Sequence, residues 1–306
     1  MTGGEEQAMC RLFGMTTGGP RVQASFWLLD SSSSLTTLSR EQPDGTGFGW
    51  FSLGDEPVRD RAPIAAFEND DFAHAARQII SHTFVSHVRY ASTGVLDVHN
   101  THPFDINDRL FAHNGLVQGL DVIDSWLTDV DRAHIEGQTD SELVFAFISA
   151  EIKRRGDTTD GLVAAVRRLG ARVPIFSLNL LLAEPRRIWA LRYPDNRELW
   201  ALSPQGGGFG QHRALASSSR RMEIDAGDAR VPAYVVASQP LDDDPDWRLL
   251  ESGELLIIDG LGARSLFPFA NPAHTLRYED LVGSAALAMR PDRTQDRPSG
   301  YPHRGE

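Results

Sequence analysis

At 306 residues, with a formal net charge of −12 and a single cysteine, the chain excludes several classes of protein at the outset. The acidic balance argues against nucleic acid as the main partner, because phosphate binding needs a basic footprint, and one cysteine allows neither an internal disulfide framework nor a cysteine-based zinc cluster. A hydrophobic content of 41% and a charged content of 24% are ordinary for a soluble globular protein. No apolar run approaches the roughly 18–20 residues of a membrane span, "MTGGEEQA" lacks the apolar core of a secretory signal, and the expected compartment is the cytoplasm.

Residues 10–16 suit a short strand. Residues 24–29 read as a short helix, followed by the serine-rich loop "DSSSS". The stretch "PDGTGFGWFSL" (43–53) reads as a turn entering a glycine-bearing strand, where small residues let another backbone come close. Residues 71–80 have helical spacing, 82–92 form a strand ending in a polar loop, and "RLFAHNG" (109–115) a strand ending in a turn. Thr139 and Glu142 fit a capping box, with Leu143, Val144, Phe147, Ile148 and Ile152 following at helical spacing. "TDGLVAAVRRLG" (159–170) predicts a second helix, stopped by glycine. Beyond Pro174 come strand-like runs, "IFSLNLLLA", "RIWALRY", "ELWALS", "AYVVAS" and "GELLIID", separated by turn residues. Helices in the middle with strands on both sides predict one layered α+β domain over 10–285. From about Met289 the composition turns to Arg, Pro, Asp and Gly, so 286–306 is expected to be a disordered tail.

Cys10 has two readings. It is either an inert buried cysteine or, if Met9 initiates the chain and is removed, an amino-terminal residue carrying a nucleophile and a base at once. A thiolate attacks, and a free α-amine, with a reference pKa of about 8, can accept its proton near neutral pH. "AHNG" (112–115) offers an Asn side-chain amide and a neighbouring backbone N–H suited to an oxyanion; Asn-Gly is equally the commonest hairpin turn signal. Arg89, ending an apolar strand, needs a partner, which is either a substrate carboxylate held in a two-pronged contact or a structural carboxylate. Asp140 stands in the first turn of a capped helix, where it complements the helix dipole or receives an ammonium group. His99, His102 and His113 lack metal-ligand spacing, and Asp242, Asp243, Asp244 and Asp246 do not match a calcium loop. No metal or cofactor is expected.

Taken in order, "MC" at 9–10, "PDGTGFGWF", "RYASTG", "NTHPF", "AHNG" and "QTDSEL" resemble the class II glutamine amidotransferases, which are amino-terminal-nucleophile (Ntn) hydrolases. The resemblance covers about residues 9–150 with strong motifs. The start "MCRLF" and the stretch 235–260 are similar to stand-alone bacterial members. It implies a four-layer αββα sandwich of two antiparallel sheets between helices. It also implies Cys10 as nucleophile with its α-amine as base, and Asn114 and Gly115 as the oxyanion hole. Arg89, assisted by Ser92, would bind an α-carboxylate, Asp140 an α-ammonium, and His102 would support the substrate loop. Thr93 departs from the His that many synthase-type relatives carry there, and residues 1–9 form a leader or reflect a start placed too early.

The function expected from these parts is cleavage of glutamine or a γ-glutamyl amide through a Cys10 thioester, since no acceptor domain accompanies the amidase residues. One related branch acts in ergothioneine biosynthesis, but Leu12 stands where its members usually carry His. Two alternatives stay open: an ammonia-supplying subunit of a separate synthase, and an inactive binding protein that keeps residues 1–9.

Overall fold

The computed structural model describes residues 10–90, 96–211, 230–269 and 275–281. The expected leader at 1–9, the loop carrying Ser92 and Thr93, and the expected tail at 286–306 lie outside them.

In chain order the strands are β1 (Arg11–Thr16), β2 (Gly45–Phe51), β3 (Pro57–Ala62), β4 (Thr83–Arg89), β5 (Phe104–Ile106) and β6 (Arg109–Val117). They continue with β7 (Ile175–Glu184), β8 (Arg187–Leu191), β9 (Trp200–Leu202), β10 (Phe209–Gln211), β11 (Arg230–Pro232) and β12 (Tyr234–Ala237). The last are β13 (Arg248–Leu249), β14 (Leu255–Asp259) and β15 (Gly262–Leu266). The helices are α1 (Leu35–Leu38), α2 (Asp70–Gln78), α3 (Leu120–Asp124), α4 (Asp129–Arg132), α5 (Asp140–Arg155) and α6 (Thr158–Arg172).

The strands form two main sheets, with orders β13-β9-β12-β1-β4-β2-β3 and β15-β14-β8-β7-β6-β5. Their strand pairs are antiparallel throughout. Strand side chains alternate between faces, so each sheet has an inner and an outer surface. Leu12, Val85, Leu110, Ala112, Leu181, Ile188 and Val236 fill the space between the sheets. On the far side of the first sheet, Phe13, Met15, Phe48, Phe84 and Val88 pack with Leu35 and Leu38 of α1 and Phe72 of α2. On the far side of the second, Phe111, Leu178, Leu180 and Leu182 pack with Phe145, Ile148, Leu162 and Val166 of α5 and α6. The Phe111–Phe145 rings stack at 4.6 Å, a contact worth about 0.5–1.5 kcal/mol beyond its burial. The architecture is the four-layer αββα sandwich.

Several local expectations need correction. Residues 26–30 form a single π-helical turn where a short helix is expected at 24–29; the serine-rich loop follows it as expected and leads into α1, capped by the Ser34 side chain accepting Thr37 N–H. Gly170 does not stop α6, which runs on to Arg172. Its missing side chain instead makes room for Phe269, whose ring a Cβ there would meet at 2.8 Å. The capping box at α5 is half formed: Thr139 Oγ1 accepts Glu142 N–H at 3.2 Å. The buried Glu142 carboxylate instead accepts the N–H groups of Glu136 (2.8 Å) and Gly137 (2.6 Å). β6 does not turn at Asn114-Gly115 but continues to Val117, pairing Asn114 with Asn179 and Gly115 with Leu178 of β7.

The glycine-bearing strand does admit a second backbone. Gly45, Gly47 and Gly49 alternate along the inner face of β2, and Thr101, His102 and Pro103 lie on them: a Cβ at Gly47 would sit 1.7 Å from the His102 carbonyl oxygen. The same segment is anchored by Arg61, which donates to Thr101 O at 3.1 Å, and by Asn100 Oδ1, which accepts Gln138 N–H at 2.8 Å just before α5.

Candidate active site

β1 and β4 are register neighbours, with Arg11 opposite Val88 and Leu12 opposite His87, so Cys10 at the head of β1 arrives beside Arg89 at the end of β4. Tyr90, one residue further, holds the sulfur with both backbone groups: its N–H donates to Cys10 Sγ at 3.1 Å, and the thiol donates to its carbonyl at 3.3 Å. Burial pushes the thiol pKa up. The Tyr90 N–H and the charges of Arg89 and Arg197 act the other way, and Asp44 adds to the rise.

From the opposite sheet, Asn114 of β6 reaches across. Its Nδ2 donates to the Cys10 carbonyl oxygen at 2.7 Å and lies 3.5 Å from Ser238 Oγ. Gly115 cannot carry a side chain, since a Cβ would meet Ser177 O at 2.0 Å and His113 Nε2 at 2.5 Å. The Asn-Gly pair is therefore built into the interior of a strand, and the hairpin-turn reading does not hold.

Arg89 is 4% exposed and is framed by β2, whose Gly45 pairs with it, and by the Asp44 N–H, which donates to its carbonyl at 3.2 Å. Two residues back on the same face, His87 packs its ring against His102 at 4.3 Å. Neither imidazole has a hydrogen-bond partner among the described residues. Burial and the Arg89 charge drive the His87 pKa down to about 3, and burial drives His102 well below its usual range. Both rings are neutral at physiological pH.

Asp140 opens α5, 6% exposed, and its Oδ2 accepts Val117 N–H at 2.9 Å, tying the helix start to the end of β6. Ser141 Oγ lies 2.9 Å from His113 Nδ1, and His113 Nε2 lies 3.2 Å from Ser177 O. A carbonyl can only accept, so the network assigns the His113 proton to Nε2 and leaves Nδ1 to accept the Ser141 hydroxyl. Ser177 Oγ in turn donates to Asn114 O at 3.0 Å. One hydrogen-bonded chain thus runs from the head of α5 to Asn114.

The structure accordingly brings Cys10, Arg89 and Asn114 together, sets His102 on the loop beside them, and links Asp140 to β6. Ser92 lies outside the described residues. Among the described residues no group of three or more His, Cys, Asp or Glu is arranged to hold a metal ion, and no helix is long and apolar enough to cross a membrane.

Three contributors carry no sequence signal. Arg197, 4% exposed, acts electrostatically on the Cys10 thiol; its Nη1 donates to Tyr278 Oη at 2.6 Å, and its guanidinium lies 5.4 Å from the Phe176 and Tyr278 ring centres. Asn179, opposite Asn114, donates to Glu198 O at 3.0 Å and so fixes the segment that bears Arg197. Ser238 follows β12 and accepts Leu12 N–H at 2.9 Å. Each is a polar residue with no local motif of its own, placed by contacts with distant parts of the chain.

A four-layer sandwich with a cysteine at the head of a central inner strand is the fold of the Ntn amidotransferases. The family model for class II glutamine amidotransferases matches residues 9–272, and the chain belongs to that family. It is 28% identical over 251 residues to the gamma-glutamyl-hercynylcysteine sulfoxide hydrolase of Mycobacterium tuberculosis, covering 78% of this chain and 88% of that protein. It is 27% identical over 250 residues to an uncharacterized protein of Methanocaldococcus jannaschii, covering 74% of this chain and 64% of that one. The chain therefore spans less than two thirds of the archaeal relative. A solved glutamine aminotransferase class-II domain protein from Silicibacter pomeroyi superposes with a TM-score of 0.58 at 22% identity, over 86% of this chain and all of that one.

Proposed function

We propose that the protein is an amidohydrolase that cleaves glutamine or a γ-glutamyl amide through a thioester on Cys10, releasing glutamate and either ammonia or an amine. The observation that carries the reading is that Cys10, beside Arg89 on the neighbouring strand and under the influence of its charge, receives the Asn114 amide on its carbonyl oxygen from the opposite sheet. The hydrolase name of the mycobacterial relative supports water as the final acceptor.

A thiol whose pKa is raised by burial is protonated near neutral pH and needs a local base. The α-amine of Cys10, freed by removal of the residues before it, takes that proton through a bridging water. The thiolate attacks the γ-carbonyl carbon, a C–S bond forms, and the carbonyl electron pair moves to oxygen. Asn114 Nδ2 and the Gly115 N–H receive that oxyanion. Collapse breaks the C–N bond as the α-ammonium returns its proton to the leaving nitrogen. Water then attacks the thioester, with the same amine as base, and restores the thiol. Arg89, assisted by Ser92, binds the substrate α-carboxylate, Asp140 binds the α-ammonium through Oδ1, and His102 supports the loop lying on Gly47.

Protein whose amino terminus is Cys10 should release glutamate from glutamine or from at least one γ-glutamyl amide, and Cys10→Ala should release none. Absence of release from all of them, with an amino-terminal Cys10 verified by mass, contradicts the reading. Release that rises on adding a separate synthase chain would mark ammonia supply as the role.

A further inference from the structure

Phe13 pairs with Ala237 in the β1–β12 ladder, which brings Leu12 opposite Ser238. Ser238 N–H donates to Leu12 O at 3.1 Å, the first half of a hydrogen-bonded antiparallel pair. The reciprocal bond goes elsewhere: Leu12 N–H donates at 2.9 Å to the Ser238 side-chain oxygen. A hydroxyl thus stands where the ladder would use a carbonyl, two residues from the nucleophile. That same oxygen lies 3.5 Å from Asn114 Nδ2, whose other contact is the Cys10 carbonyl at 2.7 Å. Ser238 is 9% exposed. Its Oγ adds a second tie, beside the direct bond from Asn114 Nδ2 to the Cys10 carbonyl, between the strand carrying Cys10 and the strand carrying Asn114 in the opposite sheet.

We propose that Ser238 is a positioning residue for the oxyanion donor: its hydroxyl oxygen, fixed by Leu12 N–H, holds one edge of the Asn114 amide so that an Nδ2 hydrogen is presented to the oxygen of an acyl group on Cys10. This rests on the reading of Asn114 as that donor. Ser238 moves no proton and touches no substrate. An amide has two hydrogens on one planar nitrogen, so restraining one edge fixes the direction of the other. Without the hydroxyl the amide keeps only its bond to the Cys10 carbonyl, and once that hydrogen turns to an oxyanion nothing holds the other edge, because the terminal torsion is a broad rotor in any Asn. Such freedom weakens a transition-state contact while leaving the sulfur in place.

The test compares two reactions at the same sulfur of the protein that begins at Cys10, verified by intact mass. Acylation by p-nitrophenyl acetate, followed as p-nitrophenolate release, passes through a tetrahedral oxyanion; alkylation by iodoacetamide is a direct displacement and forms none. Ser238→Ala should lower the acylation-to-alkylation ratio by about tenfold, less than the 10²–10³ that loss of an oxyanion donor itself costs. Ser238→Thr, which keeps the hydroxyl, should restore it. If Thr is too large to fold there, the pair with Asn114→Ala decides, since Asn114→Ala with and without Ser238→Ala should show the same ratio. An unchanged ratio in Ser238→Ala, an equal fall in both reactions, or additive losses with Asn114→Ala would overturn the proposal. Because p-nitrophenyl acetate needs no glutamyl recognition, a wild type that acylates normally yet cleaves no γ-glutamyl amide would count against the substrate reading and leave this comparison decisive.

Discussion

Gly47 of β2 lies directly beneath His102, with the His102 carbonyl oxygen 1.7 Å from where a Cβ would be. Neither backbone can withdraw: β2 is hydrogen-bonded to β3 and β4, and the 100–102 segment is held by Arg61 and Gln138. Gly47→Ala should therefore cost about 3 kcal/mol, the upper range for overpacking a filled core, and should weaken substrate binding because the displaced loop adjoins Arg89. Gly54→Ala, whose Cβ would meet nothing closer than 3.7 Å, should stay within about 0.5 kcal/mol of the parent. Urea denaturation of both variants checks the contrast, and equal stability would contradict the packing argument.

Replacing the amide that reaches Cys10 should act on turnover more than on binding. Asn114→Ala removes Nδ2, which donates to the Cys10 carbonyl at 2.7 Å, and should lower kcat for glutamate release by about 10²–10³ with little change in KM. A large rise in KM at constant kcat would instead make Asn114 a ground-state contact.

The stability should fall in mild acid. His87 has a folded pKa depressed to about 3 from a reference of 6.5, and His82, His102 and His113 are also depressed. Between those values the unfolded chain binds protons that the folded chain refuses, so stability is complete above about pH 6.5 and declines as pH drops toward 3. His87 alone contributes a slope of up to about 1.4 kcal/mol per pH unit. His87→Phe should flatten the profile between about pH 4.5 and 6.5, a window above the ordinary carboxylate range. Identical slopes for parent and variant would contradict the assignment.

The second guanidinium near the sulfur gives a separate test. Arg197 lowers the Cys10 thiol pKa against the rise that burial imposes, so Arg197→Met should move the alkylation–pH profile of Cys10 to higher pH. A profile unmoved within error would place Arg197 outside the thiol's electrostatic environment.

What the sequence revealed follows from how local each signal is. The glycines in 43–53 announce a close backbone approach by their small size in a strand, and the Thr139 cap with its apolar stripe locates α5. Asn114-Gly115 looked like a turn because the dipeptide is the usual one; its place inside β6 depends on Ser177 in another strand, which no local window contains. Gly170 looked like a helix stop for the same reason, its partner Phe269 lying far along the chain. Ser238 and Leu12 are 226 residues apart, and only the β1–β12 pairing joins them. The cysteine, arginine and asparagine stand out in the sequence as candidates, whereas the side chains packed around them do not, because their placement is set by long-range contacts.

The requirement for a free amine on Cys10 is the centre of the proposed chemistry, and it is tested by assaying two forms of the protein side by side. One form begins at Cys10 and the other retains Met9 and the residues before it, each verified by intact mass, and glutamate release from the same γ-glutamyl amide is measured. The expected result is turnover by the first form and none by the second. Equal release from both would show that the sulfur finds its proton acceptor elsewhere and would contradict the mechanism.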